Sequence, residues 1–232
     1  MSISVDILVT AWSRHKERLK CFEKCIVSLS KNLIIDRFVP RFVVSSETQY
    51  AKFQKEIKEI SVKHNFEFFE HKASASLGNN LNFIHSEISG DFILYVQEDF
   101  ELCRPLNLIE DINFLQQHKE YLIVQYMRYM RDWKIDKRID DTKYHQLSNT
   151  NPYYYSEQPH LKTRSFIDLL GKYSDSLVAE NVMNEVCRKK GIQTIVKIDE
   201  PETFKSAGAR PSMLEKHGFI EEQLDDFLTA NK

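Results

Sequence analysis

Two hydrophobic periods alternate along the first hundred residues, and this alternation restricts the fold more than any other feature of the chain. Residues 5–10 form an apolar run typical of a buried strand, and Leu19, Phe22, Ile26 and Leu29 then recur at the spacing of a helix. The same succession repeats, giving predicted strands over residues 5–10, 41–45, 66–69 and 92–96. This order predicts a parallel sheet covered by helices on both faces.

The second half of the chain is less regular. Its patterns predict helices over residues 106–117, 162–170, 178–190 and 220–228, strands over 121–126 and 193–198, and a loop over 131–152. No internal repeat divides the sequence, and its length suits one domain. We therefore expect a single α/β domain.

Glycine is scarce, with 6 residues among 232, about 3% against a usual ~7%. The glycines are too far apart for a G-x-G-x-x-G turn or a P-loop, so a Rossmann dinucleotide site and a P-loop phosphate site are both excluded. The net charge of −2 supplies no general attraction for nucleic acid or for an acidic membrane. A phosphate group bound by this chain must be held by something other than a glycine-rich loop. We also expect no nucleic-acid partner.

The four cysteines, Cys21, Cys25, Cys103 and Cys187, fit neither a disulfide framework nor a zinc site, which predicts reduced thiols. The apolar run over residues 3–12 contains Asp6 and is too short to cross a bilayer. We expect a cytoplasmic protein without a transmembrane segment. Peripheral membrane association and the oligomeric state stay open.

Three carboxylates follow the predicted strand over residues 92–96 almost at once: Glu98, Asp99 and Glu101. Ligands of parallel sheets bind beyond the carboxyl ends of the strands. Carboxylate oxygens suit Mg²⁺ or Mn²⁺, and a bound cation would offset the repulsion between these like charges. A solvated acidic turn would give the same pattern.

Several segments together resemble the family 2 type of glycosyltransferases with the GT-A fold. Ser13-Arg14 follows the first strand, residues 26–29 read I-V-S-L, and residues 89–99 read S-G-D-F-I-L-Y-V-Q-E-D. The family pattern at the last segment is G-[DE]-[FY]-I-L-[FY]-[LV]-D-x-D. Residues 179–192, A-E-N-V-M-N-E-V-C-R-K-K-G-I, are similar to the family helix G-E-D-x-D-L-x-x-R-x-x-x-G-[YF].

This resemblance implies a Rossmann-like, mostly parallel sheet flanked by helices in one GT-A-like domain. Residues 1–103 would be the nucleotide-sugar-binding half. Residues 104–232 would be the acceptor-side half of the same domain, with a C-terminal helical segment.

The resemblance also implies a divalent cation, Mn²⁺ or Mg²⁺. Asp99 matches the last carboxylate of the family's D-x-D, while Gln97 replaces the first, and Glu98 and Glu101 are placed to compensate. His217 would complete the metal shell, as a histidine does in some GT-A enzymes. The alternative for His217 is a helix-end position, which favours histidine without any metal.

The donor implied by the resemblance is a nucleotide-diphosphate sugar. Arg14 would contact its phosphate or base, and Ser45 with Ser46 stands where many members carry acidic residues that read the base. The asparagines near residue 80 would touch ribose or sugar, unless they serve as a helix cap. The candidate donor-binding residues are Thr10, Ala11, Arg14, Ser45, Asn80, Glu98 and Asp99.

On the acceptor side, the resemblance makes Glu180 the catalytic base, although Asn181 replaces the second acid of the family pair. Asp175 is a second candidate, and the alternative for Glu180 is an acidic first turn that complements the helix dipole. Residues 153–155 and His160 fall in the acceptor region, where aromatic faces pack against sugar rings. Buried core aromatics would look the same.

The predicted function is metal-dependent transfer of a sugar from a nucleotide-diphosphate sugar to a carbohydrate or other hydroxyl acceptor. A single base opposite the leaving group implies inversion at the sugar carbon. One rival is a non-catalytic GT-A-like protein that binds nucleotide or carbohydrate, because Gln97 and Asn181 replace expected carboxylates. A nucleotidyltransferase of related topology is another, but its Gly-rich first-strand signature is absent.

Overall fold

A computed structural model of the chain describes residues 2–13, 16–48, 50–71, 76–126, 134–139, 143–174, 179–198 and 202–206. The strands are β1 (Ser4–Ala11), β2 (Leu33–Ile34), β3 (Val39–Ser46), β4 (Glu67–Glu70), β5 (Phe92–Gln97), β6 (Phe100–Leu102), β7 (Leu106–Asn107), β8 (Tyr121–Gln125), β9 (Ile135–Arg138), β10 (Tyr144–Leu147), β11 (His160–Thr163), β12 (Gln193–Lys197) and β13 (Phe204–Ser206). The helices are α1 (Lys16–Asn32), α2 (Ala51–Lys63), α3 (Leu77–Glu87), α4 (Leu108–Gln117), α5 (Arg164–Leu170) and α6 (Ala179–Lys189).

Within these residues, one large sheet has the strand order β4-β3-β1-β5-β11-β8-β12-β10-β9. The first four strands are parallel, and β11 enters antiparallel between β5 and β8. Along β1, Ile7 and Val9 pack with helices α1, α2 and α4, whereas Leu8 packs with α3, α5 and α6 on the other face. The predicted mostly parallel sheet with helices on both faces is confirmed.

The helix predicted over residues 162–170 begins too early. Lys162 and Thr163 belong to β11, and α5 starts at Arg164, where the Thr163 side chain caps it by accepting from the Phe166 N–H at 3.1 Å. The strand β11 has only four residues and includes His160 and Lys162, so it shows no alternation of apolar and polar side chains. Hydrophobic periodicity therefore does not reveal this strand in the sequence.

The loop predicted over residues 131–152 is also wrong in part. It contains β9 and β10, which pair antiparallel at the edge of the large sheet. Edge strands expose polar side chains, and β9 reads Ile-Asp-Lys-Arg, so hydrophobic periodicity does not reveal them. The helix predicted over residues 220–228 lies outside the described residues.

Two glycines permit backbone arrangements that a side chain would obstruct. The Gly90 N–H donates to the buried Asp6 carboxylate at 2.6 Å, and a Cβ at Gly90 would lie 2.6 Å from the same oxygen. Gly191 has a φ of 64° and ends α6, where the Ile192 N–H donates to the Cys187 carbonyl at 3.0 Å. Gly90 therefore permits the close start of β5, and Gly191 permits the end of α6.

The four cysteines are free thiols, and Cys103 is the exposed member. Across the part of the chain that the structure describes, no helix combines the length and apolar character needed to cross a bilayer.

Candidate functional site

Three strands of the large sheet end side by side and hold the loops that carry the candidate residues. In the register of the sheet, Thr10 lies between Ser45 of β3 and Gln97 of β5. The Glu98 N–H donates to the Thr10 carbonyl at 3.1 Å, and the Glu47 N–H donates to the Ala11 carbonyl at 3.2 Å. The end of β1 therefore fixes the backbone of both acidic loops.

Three carboxylates meet one guanidinium at this edge. Glu47, Glu98 and Asp99 are 8%, 5% and 9% exposed. The Arg18 side chain, from the first turn of α1, donates to Oε1 of Glu98 through Nε at 3.0 Å and through Nη2. The Arg18 guanidinium also lies 5.5 Å from the centre of the Trp12 ring. One cation is thus shared among three buried acids.

Burial and mutual repulsion disturb the ionisation of these acids. Burial raises the pKa of Glu47 to about 8, with a further increase from the charge of Glu98 and partial relief from Arg18. Burial likewise raises the pKa of Asp99 and of Glu98, and Arg18 opposes both shifts. Among the described residues, Oε2 of Glu47 and Oδ1 of Asp99 are buried without a hydrogen-bond partner. These oxygens are available to a ligand.

The predicted metal ligands are only partly assembled. The described portion of the chain contains no group of three or more His, Cys, Asp or Glu side chains arranged around a metal position. Glu101 lies on β6, half-buried and in register with Lys205 of β13, and His217 lies outside the described residues. Mg²⁺ is often held by one or two carboxylates together with substrate phosphates and water. The unpartnered oxygen of Asp99 fits that mode.

Two of the predicted donor-binding residues contact each other. The Ser45 hydroxyl donates to Oδ1 of Asn80 at 2.6 Å, and Nδ2 of Asn80 donates back to the Ser45 carbonyl at 3.3 Å. The Thr10 hydroxyl lies 3.2 Å from the Tyr95 hydroxyl. These contacts hold the ends of the strands in place next to the acids. The predicted phosphate-binding residue Arg14 lies outside the described residues.

The predicted base lies in the first turn of α6, where Glu180 is half-buried. Asn184 ties this turn to the acceptor region, because its Nδ2 donates to the Glu180 carbonyl at 3.3 Å and its Oδ1 accepts from the Tyr155 N–H at 2.7 Å. Tyr154, Tyr155 and His160 are buried, whereas Tyr153 is 37% exposed. The second base candidate, Asp175, lies outside the described residues.

The sequence patterns did not single out Arg18, Glu157 or Lys162, and they marked Glu47 only by its place after a predicted strand. Glu47 had a usable signal, since it follows the two serines at the end of β3. In the sequence, nothing distinguishes Arg18 from the other charged residues of an amphipathic helix. Glu157 precedes the short strand β11 and Lys162 lies within it, and their relation to the site depends on where that strand enters the sheet.

No protein-family model and no curated protein matches this sequence. Solved structures do match. TarS from S. aureus is similar with a TM-score of 0.59 at 14% identity, over 88% of this chain and 36% of TarS; structures of TarS residues 1–349 hold UDP or UDP-GlcNAc. The chain therefore spans little more than a third of that protein.

Two further structures match most of both chains. Glucosyl-3-phosphoglycerate synthase from Mycobacterium tuberculosis, in complex with Mn²⁺, UDP and glucosyl-3-phosphoglycerate, has a TM-score of 0.60 at 11% identity over 98% of this chain and 79% of its own. CMP:2-keto-3-deoxy-manno-octonic acid synthetase, complexed with CTP, has a TM-score of 0.55 at 12% identity over 96% and 99%. At such identities the likeness shows the fold alone, and that fold is GT-A-like, as the resemblance in the sequence implies.

Proposed function

We propose that this protein is a glycosyltransferase of the family 2 type that moves a sugar from a nucleotide-diphosphate sugar to a carbohydrate or other hydroxyl acceptor. One observation carries the proposal: Glu47, Glu98 and Asp99 are buried around Arg18 at the carboxyl edge of the parallel strands, and two of them keep an oxygen without a partner. The edge of such a sheet is where nucleotide ligands bind. Residues 1–103 supply this donor half, and residues 104–232 supply the acceptor half.

The donor and its cation would share the acidic edge. Asp99 would hold Mn²⁺ or Mg²⁺ together with the diphosphate, with Glu101 and His217 as further candidate ligands. When bound, the cation neutralises charge that develops on the departing diphosphate. Arg18 keeps Glu98 paired, and Glu47, protonated below its pKa of about 8, offers a hydrogen bond to the base or ribose beside Ser45.

The acceptor would approach from the side of α6. Glu180 removes the proton of the acceptor hydroxyl while the new bond forms at the sugar carbon. The bond to the diphosphate breaks on the opposite face, so the product has the inverted configuration. Asn184 positions Glu180 by holding the first turn of α6 against Tyr155.

Nucleotide release tests the proposal. Incubation with UDP- and GDP-sugars and Mn²⁺ is expected to release UDP or GDP slowly from one donor, because water replaces a missing acceptor. Glu180→Gln is expected to lower this release about a hundredfold or more, since a positioned base contributes about 10²–10⁴-fold, and to leave nucleotide binding unchanged.

The matched control is Glu87→Gln, an exposed glutamate at the end of α3, which is expected to release nucleotide like the wild type. If the Glu180→Gln variant still releases UDP or GDP at the wild-type rate, Glu180 is not the catalytic base. Pyrophosphate release from a nucleoside triphosphate and a free sugar would point instead to nucleotidyl transfer. Nucleotide binding without any turnover would favour the non-catalytic alternative.

A further inference from the structure

A second buried cluster lies beside the acidic edge, around Glu157 and Lys162. The antiparallel pairing of β11 with β5 places His160 opposite Tyr95 and Lys162 opposite Ile93. Tyr95 lies between this cluster and the acidic edge, because its hydroxyl is 3.2 Å from the Thr10 hydroxyl and its ring centre is 4.9 Å from that of His160. Burial raises the pKa of Tyr95, and the charges of Glu157 and of Glu47 both raise it further. Glu157 and the acidic edge are therefore both close to this tyrosine.

Glu157 keeps one carboxylate oxygen unused. The side chain is 6% exposed, and its Oε1 accepts from the Tyr155 hydroxyl at 2.8 Å. Its Oε2 has no hydrogen-bond partner among the described residues. Leaving a buried carboxylate oxygen unpaired costs free energy, and a bound hydroxyl group would remove that cost.

Lys162 supplies the opposite charge for this site. The side chain is fully buried, and its ammonium group donates to the Tyr173 hydroxyl at 3.0 Å and lies 5.1 Å from the centre of the Tyr95 ring. The Tyr173 hydroxyl is 3.5 Å from the hydroxyl of Tyr155, which in turn binds Glu157. Lys162 is thus linked to Glu157 through two tyrosines, and the unused oxygen of Glu157 stays free.

A second unused acceptor lies two strand positions from Lys162. His160 is fully buried, its Nδ1 is 2.8 Å from the Gln158 carbonyl, and its Nε2 has no partner in the described chain. Burial, reinforced by the charge of Lys162, holds the pKa of His160 well below its usual value. The neutral ring donates from Nδ1 to the carbonyl, which leaves Nε2 as an acceptor.

We propose that Glu157 and His160 form the subsite for the transferred sugar and that this subsite takes neutral, hydroxyl-rich sugars. This inference rests on the proposed function and names the class of its donor. Both free atoms are hydrogen-bond acceptors, which match sugar hydroxyl donors. A sugar that carries its own carboxylate would face Glu157 as well as the acidic edge, and like charges repel at short range.

The charged and titratable groups around Glu157 agree with this assignment. Burial raises the pKa of Glu157 to about 7, Lys162 lowers it in part, and the charge of Glu180 on α6 raises it further. Tyr95, Tyr155 and Tyr173 also face it. Burial in turn lowers the pKa of Lys162, and the charge of Glu157 opposes that shift, so the ionised carboxylate is the form that accompanies a charged Lys162.

Calorimetric titration tests the subsite without turnover. The ligands are UDP, GDP, UDP-glucose, UDP-GlcNAc, GDP-mannose and UDP-glucuronate, each titrated with Mn²⁺ at the same pH. The wild type is expected to bind at least one nucleotide with a neutral sugar about tenfold to a hundredfold more tightly than it binds the same nucleotide without the sugar. This is the gain expected from hydrogen bonds to a charged group. UDP-glucuronate is expected to bind no tighter than UDP.

Glu157→Gln isolates the acceptor atom. If the amide oxygen keeps the hydrogen bond from Tyr155, an NH₂ group takes the place of Oε2. The sugar increment, which is the gain in affinity of the nucleotide sugar over its nucleotide, is then expected to vanish. The Kd of the nucleotide alone is expected to stay unchanged. Glu157→Asp keeps the charge and withdraws the oxygen by one methylene, and it is expected to lose most of the increment even where the Gln variant does not fold. Glu87→Gln is the control and keeps the full increment.

The outcomes separate the inference from the function on which it rests. An increment retained in both Glu157 variants, or a wild type that binds nucleotide but gains nothing from any neutral sugar, overturns the subsite and leaves the nucleotide site intact. Tight binding of UDP-glucuronate overturns the restriction to neutral sugars. A wild type that binds neither nucleotides nor their sugars overturns the proposed function and the subsite together.

Discussion

Glu47 illustrates how one side chain can link the site to stability. It is 8% exposed, follows the last residue of β3, and has a carboxylate oxygen without a partner among the described residues. Burial and the charge of Glu98 raise its pKa from 4.5 to about 8. The folded protein therefore holds a proton on Glu47 at pH values where the unfolded chain has released it.

This difference predicts a pH-dependent effect of Glu47→Gln. The contribution of Glu47 to the free energy of unfolding is fully present below pH 4.5 and is lost as the pH rises to about 8. The Gln side chain does not titrate, so the variant keeps its free energy of unfolding between pH 4.5 and about 8 while that of the wild type falls. The variant is therefore expected to gain stability relative to the wild type, by at most about 1.4 kcal/mol for each unit of pKa shift. Denaturant unfolding at a series of pH values measures it. Parallel curves for the variant and wild type would contradict the prediction, and Glu87→Gln is the control.

A buried ion pair joins elements of the second half of the chain. Lys197 of β12 donates to the fully buried Asp111 of α4 at 2.7 Å. The Tyr126 hydroxyl donates to the other oxygen of Asp111 at 2.8 Å, and the Tyr144 hydroxyl of β10 also donates to this carboxylate. One carboxylate therefore fixes α4 against β10 and β12 of the large sheet.

Removing the cation from this pair is expected to be costly. Lys197→Met leaves the Asp111 charge buried with the tyrosine hydroxyls alone, and such changes cost about 3–5 kcal/mol. The double variant Asp111→Asn/Lys197→Met is expected to lose less than the sum of the two single variants, because the two side chains interact directly. Urea unfolding measures all three.

Lys143→Met is the matched control, because its ion pair with Glu110, at 2.8 Å, is partly exposed. An exposed pair contributes about 0–1 kcal/mol. If Lys197→Met costs no more than Lys143→Met, the buried pair does not have the structural role described here.

The molecule as a whole holds the buried charges of the candidate site in two groups on the large sheet. The acids Glu47, Glu98 and Asp99 lie around Arg18 at the carboxyl edge of the parallel strands, and Glu157 and Lys162 belong to a second cluster on β11 and the segment before it. Acids outnumber bases among these six side chains, although the net charge of the whole chain is only −2. A bound cation and hydroxyl-bearing ligand would stabilise this edge, so the proposed ligand binding would be coupled to folding.

This coupling predicts ligand-dependent melting. A ligand at 100 times its Kd stabilises the native state by about 2.7 kcal/mol, which corresponds to about 5–10 °C for a chain of this size. UDP or GDP with Mn²⁺ is expected to raise Tm by that amount. Asp99→Asn is expected to remove the part of the shift that depends on Mn²⁺, while exposed Asp36→Asn keeps it. An equal Mn²⁺-dependent shift in both variants would remove Asp99 from the metal site.

The sequence alone predicts the parallel core, its helices and the acidic end of β5. These features depend on which side chains a single strand or helix buries, and that choice leaves a period of two or of about 3.6 residues in the chain. Short or edge strands such as β9, β10 and β11 leave no such period, so they were missed.

Only the tertiary structure decides which charges share a site. Arg18 and Glu98 are 80 residues apart and meet because β1 and β5 are neighbours in the sheet. His160 lies opposite Tyr95 only because β11 enters antiparallel beside β5. A buried charge is recognised by its partners and by the loss of water around it, and neither is set by the residues next to it in the chain. The order of the strands therefore turns separate acidic and basic residues into one candidate site.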